Sequence, residues 1–376
     1  MHILLLGWEF PPNSVGGLGT HTYGLARALS RIGISVTLFL PAGKYEKVPG
    51  VELVNIPVGA KYGVYSLTHG SERVYDNISE TVNAYTREAA RNAIGRDFDI
   101  IQANDWITAE AGIEIRRLTG KPLVLVMHSL EYDRTAGMPG KDIEERERRA
   151  VNSADKVIAV SRRLKEEIIK FYNCNPEKIS VIHNAVDMDR LKKLDTGQRK
   201  KLVLYVGRLS PQKGLYNLLQ AFKIVASNDK EVKLGIAGEG PEMLKLIDLS
   251  ITLGIKDRVI FFGRVSEDEK DYLYSVAKVF VMPSVSEPFG ITALEAVAYN
   301  TPVVVSKQSG VSETLSNVFK VDFWDTNQMA DIILGILNYP MLDEIITRQA
   351  NGELSKITWK ERAKKFVDLY KSMSAG

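Results

Sequence analysis

Three stretches of the chain combine residue types that handle phosphate and hydroxyl groups. The segment Val206-Gly207-Arg208-Leu209-Ser210-Pro211-Gln212-Lys213-Gly214 sets a guanidinium and an ammonium between two glycines. Arginine grips phosphate oxygens through a planar fork, and lysine adds a compact point charge. Together they would neutralise the charge that builds on a departing diphosphate. An exposed basic loop has the same composition; the glycine-bounded passage from strand to helix argues for a ligand. In Pro283-Ser284-Val285-Ser286-Glu287-Pro288-Phe289-Gly290-Ile291-Thr292-Ala293-Leu294-Glu295, two carboxylates with seven residues between them flank a loop-to-helix transition. Carboxylates accept paired hydroxyl hydrogen bonds, so one can hold a hexose and the other a ribose, while backbone N–H groups near Phe289, Gly290 and Ile291 point at phosphate. An incidental glutamate pair on a surface loop fits this framing poorly. The third stretch, Gly16-Gly17-Leu18-Gly19, lies between Trp8–Pro12 and a helix. It is either a backbone cradle for a diphosphate at a helix start or a tight turn without a ligand, and a glycine cluster alone leaves both readings open.

Short apolar runs alternating with longer amphipathic segments must position these stretches. Met1–Leu6, Ser35–Leu40, Val51–Ile56, Asp99–Ala103, Leu123–Met127, Lys156–Val160 and Ile179–Ile182 read as strands. Several are unbroken Val/Ile/Leu runs, as parallel strands buried on both faces require. Helical patterns such as Thr20–Ile32, Ser79–Ile94, Trp106–Leu118 and Arg162–Phe171 lie between them. The rhythm restarts with strands Leu202–Val206, Val232–Ala237, Val259–Phe262, Val279–Met282 and Pro302–Ser306, separated by helices such as Leu215–Ala226, Glu242–Leu253 and Thr292–Tyr299. Repeated βα units predict doubly wound parallel sheets. The polar segment Asn184–Lys201 reads as a linker, and Trp359–Met373 as an amphipathic helix with Ala363, Phe366, Val367 and Tyr370 on one face. The expected fold is α/β: two Rossmann-like domains, residues 1–190 and 191–357, facing across a cleft, with helix 358–376 packing back on the first.

A chain of 376 residues exceeds what one core usually serves, in keeping with two domains. Net charge is +3 without a Lys/Arg block, so no nucleic-acid partner is implied. The lone Cys174 excludes an internal disulfide and a thiolate zinc site. The apolar run Ile3–Leu6 is too short for a signal segment, no stretch reaches the length of a membrane span, and a cytoplasmic location is expected, with peripheral membrane contact left open. No HExxH or His/Cys cluster occurs, and Asp187-Met188-Asp189 lies in the linker, where it reads as turn or helix-cap chemistry. Neither a metal nor another cofactor is expected.

Arg208 and Lys213 followed by Glu287-x7-Glu295 resemble the retaining GT-B glycosyltransferases, the large group 1 family that contains glycogen and sucrose synthases. The likeness runs through nearly the whole chain. Gly16-Gly17-Leu18 resembles the family's N-terminal glycine loop and His183-Asn184-Ala185-Val186-Asp187 its hinge-proximal turn. Gly238-Glu239-Gly240-Pro241 is similar to the turn after the donor domain's second strand, and Phe262-Gly263-Arg264-Val265 to the segment whose backbone meets the base. The resemblance implies a nucleotide-sugar donor, with Arg208 and Lys213 on the leaving diphosphate beside Gly207. It also implies that Glu295 holds the ribose, and Glu287 with Phe289–Gly290 the sugar. His128, ending the strand Leu123–Met127, matches the histidine beside the reacting sugar; by position alone it would be a strand-end histidine bonded to nearby backbone. Anomeric configuration would be retained through same-face attack, with no carboxylate serving as base.

Trp8-Glu9-Phe10-Pro11-Pro12 and Gln102-Ala103-Asn104-Asp105-Trp106 resemble the glycogen/starch synthase branch. This implies an α-glucan acceptor, with ADP- or UDP-glucose as donor and Glu9, Asp105 and Asn184 on the acceptor side, although Asp105 also suits an acidic helix N-cap. The chain departs from bacterial glycogen synthases in its shorter length, in Ser14 where they carry a lysine, and in Ser309-Gly310-Val311 before Glu313. A GDP-mannose or other UDP-sugar transferase acting on a lipid or small glycoside is the neighbouring reading. More distant are a dinucleotide oxidoreductase, opposed by Thr22 in place of a third glycine, and a GT-B epimerase or silent nucleotide-sugar binder.

Overall fold

The computed structural model describes residues 1–12, 16–58, 72–135, 137–192, 194, 197 and 199–374, so Ser14 lies outside the described residues. The chain divides into two compact units, Met1–Ala185 with Trp359–Gly376, and Val186–Thr358. Each is built on its own parallel sheet.

In the first unit the strands are β1 (His2–Leu6), β2 (Ser35–Pro41), β3 (Val51–Ile56), β4 (Ile100–Asn104), β5 (Leu123–Met127), β6 (Lys156–Ala159) and β7 (Ile179–Val181). They pair in the order β3-β2-β1-β4-β5-β6-β7, all parallel. Successive side chains of a strand point to opposite faces, so the complete burial of Ile3, Leu4, Leu5 and Leu6 shows that both faces of β1 are covered. The helices are α1 (Gly17–Arg31), α2 (Glu72–Ala93), α3 (Asp105–Thr119), α4 (Glu131–Arg134), α5 (Lys141–Ser153) and α6 (Arg162–Tyr172). Helix α1 starts three residues before the expected Thr20, because Gly16 is an extended N-cap (φ −171°) and the following glycines already form the first turn. Ser161 caps α6 by accepting from the Leu164 amide at 3.0 Å, and left-handed Asn173 ends it.

The terminal helix Trp359–Ser374 belongs to this first unit and packs against α1. A Cβ at Gly24 would lie 2.3 Å from the Trp359 indole, so the absence of a side chain there admits the ring. Ala363, Phe366, Val367 and Tyr370 are all buried. The Tyr370 hydroxyl donates to Gln102 on β4, whose amide nitrogen reaches Asn104 Oδ1 at 3.2 Å.

The second unit holds β8 (Lys200–Val206), β9 (Lys233–Ala237), β10 (Val259–Gly263), β11 (Ala277–Met282), β12 (Val303–Ser306) and β13 (Phe319–Val321), paired in the order β10-β9-β8-β11-β12-β13. Its helices are α7 (Leu215–Asn228), α8 (Met243–Thr252), α9 (Glu267–Val276), α10 (Ile291–Ala298), α11 (Thr326–Asn338) and α12 (Pro340–Leu354). Val203, Ile236, Val279 and Val281 of the sheet pack with Leu218 and Phe222 of α7 and Ile333 of α11 in one core. Lys200 and Lys201, expected at the end of a linker, are instead the first residues of β8. Arg199 before them is also not linker: its guanidinium donates to the carbonyls of Tyr274 (3.2 Å), Ala277 (2.6 Å) and Tyr299 (2.6 Å) and to Thr301 Oγ1 (2.8 Å).

Each sheet reverses strand order once, at β1/β4 and at β8/β11. In an open parallel sheet the loops diverge at such a switch point, leaving a crevice at the carboxyl ends of the strands.

Candidate active site

In the second unit the loops at the switch point are those after β8 and β11, residues 207–214 and 283–290. They are laced together through Gln212: its carbonyl accepts from the Val285 amide at 2.8 Å, and its side-chain amide donates to the Ser286 carbonyl at 3.2 Å. Across this seam Lys213 Nζ reaches Glu287 Oε2 at 2.6 Å, and Ser284 Oγ donates to the same oxygen at 3.1 Å. The Tyr205 hydroxyl fixes the turn at Arg208 by donating to its carbonyl at 2.9 Å. Burial, and secondarily the Glu287 charge, holds that phenol far above its ordinary range, so it remains a donor.

Gly207 and Gly238 pack backbone to backbone. Gly238 has φ +140°, and a Cβ there would sit 1.9 Å from the Gly207 carbonyl oxygen. This lets the turn after β9 close on the loop after β8, with Leu209 N donating to Glu239 O at 2.9 Å. Gly238 N in turn reaches Gly263 O at 2.7 Å, just before exposed Arg264 and half-buried Val265. Phe289 is buried and its carbonyl accepts from Val311 N at 2.7 Å, which seats Gly290 as the N-cap of α10 ahead of Ile291.

Glu295, one helical turn into α10, meets a different cation from Glu287. Lys270 Nζ of α9 approaches its Oε1 at 3.3 Å, and the buried Tyr274 hydroxyl donates to Oε2 at 3.0 Å. Burial works against the Lys270 charge, but Glu295 and Glu267 outweigh it and hold the ammonium above its usual range. Neither Lys270 nor Tyr274 stands out in the sequence as a site residue. The available signal is the spacing of Lys270 and Tyr274, which places both on one face of α9.

In the first unit His128 follows β5, Asp105 follows β4 and Gly16 lies between β1 and α1, all at the carboxyl edge. Asp105 is not a helix N-cap. Asn104 occupies that position, and Asp105 is left-handed (φ 55°) with its carboxylate accepting from the His128 amide at 2.6 Å. Burial lifts its carboxyl to about 7, against the opposing charge of Arg134. Arg134 is itself buried among carboxylates, 2.9 Å from Glu131 and in contact with Glu147, whose other oxygen receives the Tyr172 hydroxyl.

The sequence does not single out His21. It sits on the buried stripe of α1 with Leu18 and Leu25, where a polar side chain is out of pattern. Its ring stands edge-on to that of His128, centroids 4.3 Å apart, and its Nδ1 pairs with Asn184 Oδ1 at 2.8 Å. Asn184 is thereby joined to His128 through His21. Burial drops His21 to about 4 and puts His128 well below the usual imidazole range, assisted by each other's proximity in the latter case. Two neutral rings therefore meet here, and the Nε2 atoms of both are buried without a hydrogen-bond partner. Gly16, Gly17 and Leu18 form the start of α1, which no side chain caps. Glu9 is buried in the segment after β1. Asp187 and Asp189 form a turn in which the Asp189 amide donates to Asp187 Oδ1 at 3.2 Å.

Two Rossmann-like parallel sheets, each with polar and glycine-rich loops at its switch point, define a class, and comparison with known proteins identifies it. Residues 189–351 match the family described as Glycosyl transferases group 1, and residues 15–190 match Glycosyltransferase Family 4. An uncharacterized glycosyltransferase of Methanocaldococcus jannaschii is 32% identical over 99% of this chain and 98% of its own. The glycogen synthase of Mycobacterium tuberculosis is 29% identical over 84% of this chain and 80% of its own, and the D-inositol 3-phosphate glycosyltransferase of Thermobifida fusca 27% over 95% and 88%. The structure of sucrose-phosphate synthase from Thermosynechococcus elongatus matches with a TM-score of 0.81 at 22% identity, covering 100% of this chain and 99% of that one. The chain belongs to the glycosyltransferase group 1 family and has the GT-B fold. No helix among the described residues is long and apolar enough to cross a membrane.

Proposed function

We propose that the protein is a retaining, metal-independent hexosyltransferase that moves glucose from ADP- or UDP-glucose to an α-glucan. The observation that carries this reading is the Lys213–Glu287 pair, formed where the loops after β8 and β11 meet beside Arg208. A nucleotide diphosphate leaving from this edge gains negative charge as the anomeric C–O bond breaks. Arg208 and Lys213 are the groups that stabilise it, and a divalent metal is not needed for that task. Glu287 accepts donor-sugar hydroxyls while holding Lys213, and Glu295 accepts the ribose hydroxyls. The acceptor hydroxyl attacks from the face the phosphate leaves, and its proton passes to the departing phosphate oxygen. His128, kept neutral by burial, offers a hydrogen bond to a sugar hydroxyl without adding charge.

Similarity to a glycogen synthase supports glucose and a glucan. Similarity to a D-inositol 3-phosphate glycosyltransferase over more of the chain favours, as a second reading, transfer of a sugar to a small acceptor. The test is a thermal-shift series with ADP-, UDP- and GDP-sugars and with nicotinamide dinucleotides, followed by mass analysis of products made with maltoheptaose or a small polyol phosphate. Binding to the native state raises the midpoint with the logarithm of saturation. One nucleotide sugar giving a shift and an extended maltoheptaose supports the first reading. A shift with nicotinamide cofactors alone overturns both.

A further inference from the structure

The chain has four tryptophans. Trp8, Trp106 and Trp359 are 0%, 2% and 6% exposed, whereas Trp324 is 60% exposed. It lies three residues beyond the end of β13, in the loop that leads to α11, so it stands at the same carboxyl edge of the second sheet as the Arg208, Lys213 and Glu287 loops. Phe323 meets its ring edge to face, centroids 4.8 Å apart, and props the indole from one side. On the chain before it, Asp322 accepts from Lys307 Nζ at 2.8 Å and from Gln308 Nε2 at 3.0 Å. The Gln308 carbonyl accepts from the Glu287 amide at 3.3 Å. Two hydrogen-bonded steps thus connect the turn that carries Trp324 to the proposed sugar-holding glutamate. On the chain after it, Asp325 caps α11, and Asn327 and Gln328 stand exposed in the first turn.

A flat electron-rich ring among carboxylates and amides has a definite chemical complement. The electron-rich face attracts weakly positive C–H bonds, and the surrounding oxygens and amides pair with hydroxyls. A pyranose ring offers both on one rigid body. An anionic bilayer offers neither, and Asp325 beside the ring would repel it, Asp322 being already paired with Lys307. We propose that Trp324 is the platform of an α-glucan-binding subsite on the second unit, one that holds the chain away from its reacting end. This rests on the transferase reading above and adds a second point of attachment for a polymeric acceptor.

The test uses the full chain in native gels cast with glycogen, together with fluorescence titration by maltoheptaose. The parent should be retarded by glycogen and its tryptophan emission perturbed by the oligosaccharide. Trp324→Ala should abolish the retardation and raise the apparent Kd about tenfold, the scale of one lost aromatic contact. Trp324→Phe, which keeps a ring, should restore most of it. An unchanged melting temperature and nucleotide-sugar shift in Trp324→Ala would show that the variant is folded. Equal retardation of Trp324→Ala and parent overturns the proposal, as does a parent that ignores glycogen while still responding to nucleotide sugar. Perturbation of Trp324 by phosphatidylglycerol vesicles alone would assign the ring to a membrane instead. Loss of the nucleotide-sugar response in the parent itself would count against the transferase reading, not against the platform.

Discussion

Lys213 and Glu287 come from loops after different strands, yet their charged atoms lie 2.6 Å apart with Ser284 on the same carboxylate oxygen. Both are mostly withdrawn from solvent, at 19% and 12% side-chain exposure. Such a pair is coupled: removal of either partner leaves the other charge partly buried and uncompensated. Lys213 and Glu287, proposed as the leaving-group cation and the sugar-holding carboxylate, therefore act as a unit.

Lys213→Ala and Arg208→Ala should each lower kcat by about 100- to 1,000-fold, the loss expected for one electrostatic donor, with a much smaller effect on nucleoside affinity. Combining Lys213→Ala with Glu287→Gln should cost less than the sum of the two single changes. Steady-state kinetics of the full cycle checks this, and near-normal turnover in both single cation variants would remove the leaving-group assignment.

Gly238→Ala places a methyl group where the Gly207 carbonyl stands, 1.9 Å away, on backbone that cannot swing aside. It should destabilise the second unit by about 4 kcal/mol, at the upper end of single substitutions. Calorimetry would show the loss, and the nucleotide-sugar shift should disappear with it.

Lys270→Met keeps the length of the side chain but leaves Glu295 with the Tyr274 hydroxyl as its partner on α9. We expect nucleotide-sugar affinity to fall by about tenfold, the scale of one hydrogen bond to a charged group. Donors lacking the ribose hydroxyls should bind parent and variant alike. Calorimetric titration with ribo- and deoxyribonucleotide sugars separates the two cases, and an equal loss for both would deny Lys270 a role in positioning Glu295.

The parallel strands were legible because burial on both faces leaves a mark that needs no tertiary information: Leu123–Met127 and Leu202–Val206 can hardly be anything else. Glycine-bounded turns after strands were legible for a similar reason, since their position follows from the βα rhythm. Partnerships were not. Nothing local shows that His21 on α1 will meet Asn184 and His128, or that Arg134 will be buried with Glu131 and Glu147, because these pairs form between elements far apart in the chain. Arg199 was misplaced into the linker because its charge suggested solvent, whereas its guanidinium is occupied by carbonyls contributed 75 to 100 residues later.

Asp105→Asn should separate stability from function. Asparagine tolerates the left-handed backbone and can still accept from the His128 amide. In the parent, the folded state holds the Asp105 proton up to about 7 while the unfolded chain releases it near 3.8, so this residue lowers stability as pH rises between those values. His21 acts with the opposite sign as pH falls from 6.5 to about 4, but it is common to both proteins and drops out of their difference. The stability advantage of the variant should grow by about 1.4 kcal/mol per pH unit at its steepest and level off above pH 7. Urea titrations across pH 4 to 8 would reveal a flat difference if the carboxyl titrates normally. Transfer activity should fall in the same variant.

The Trp359 indole that fills the space over Gly24 carries a consequence for synthesis. A ribosome adds on the order of 5–20 residues per second, and domains generally fold as units as they emerge. The segment Met1–Ala185 leaves first but lacks its final helix until the whole of Val186–Thr358 has followed. During that interval the face of α1 that receives Trp359 is uncovered, and the intervening unit can complete its own core. The half of the protein that is translated first is the half that matures last.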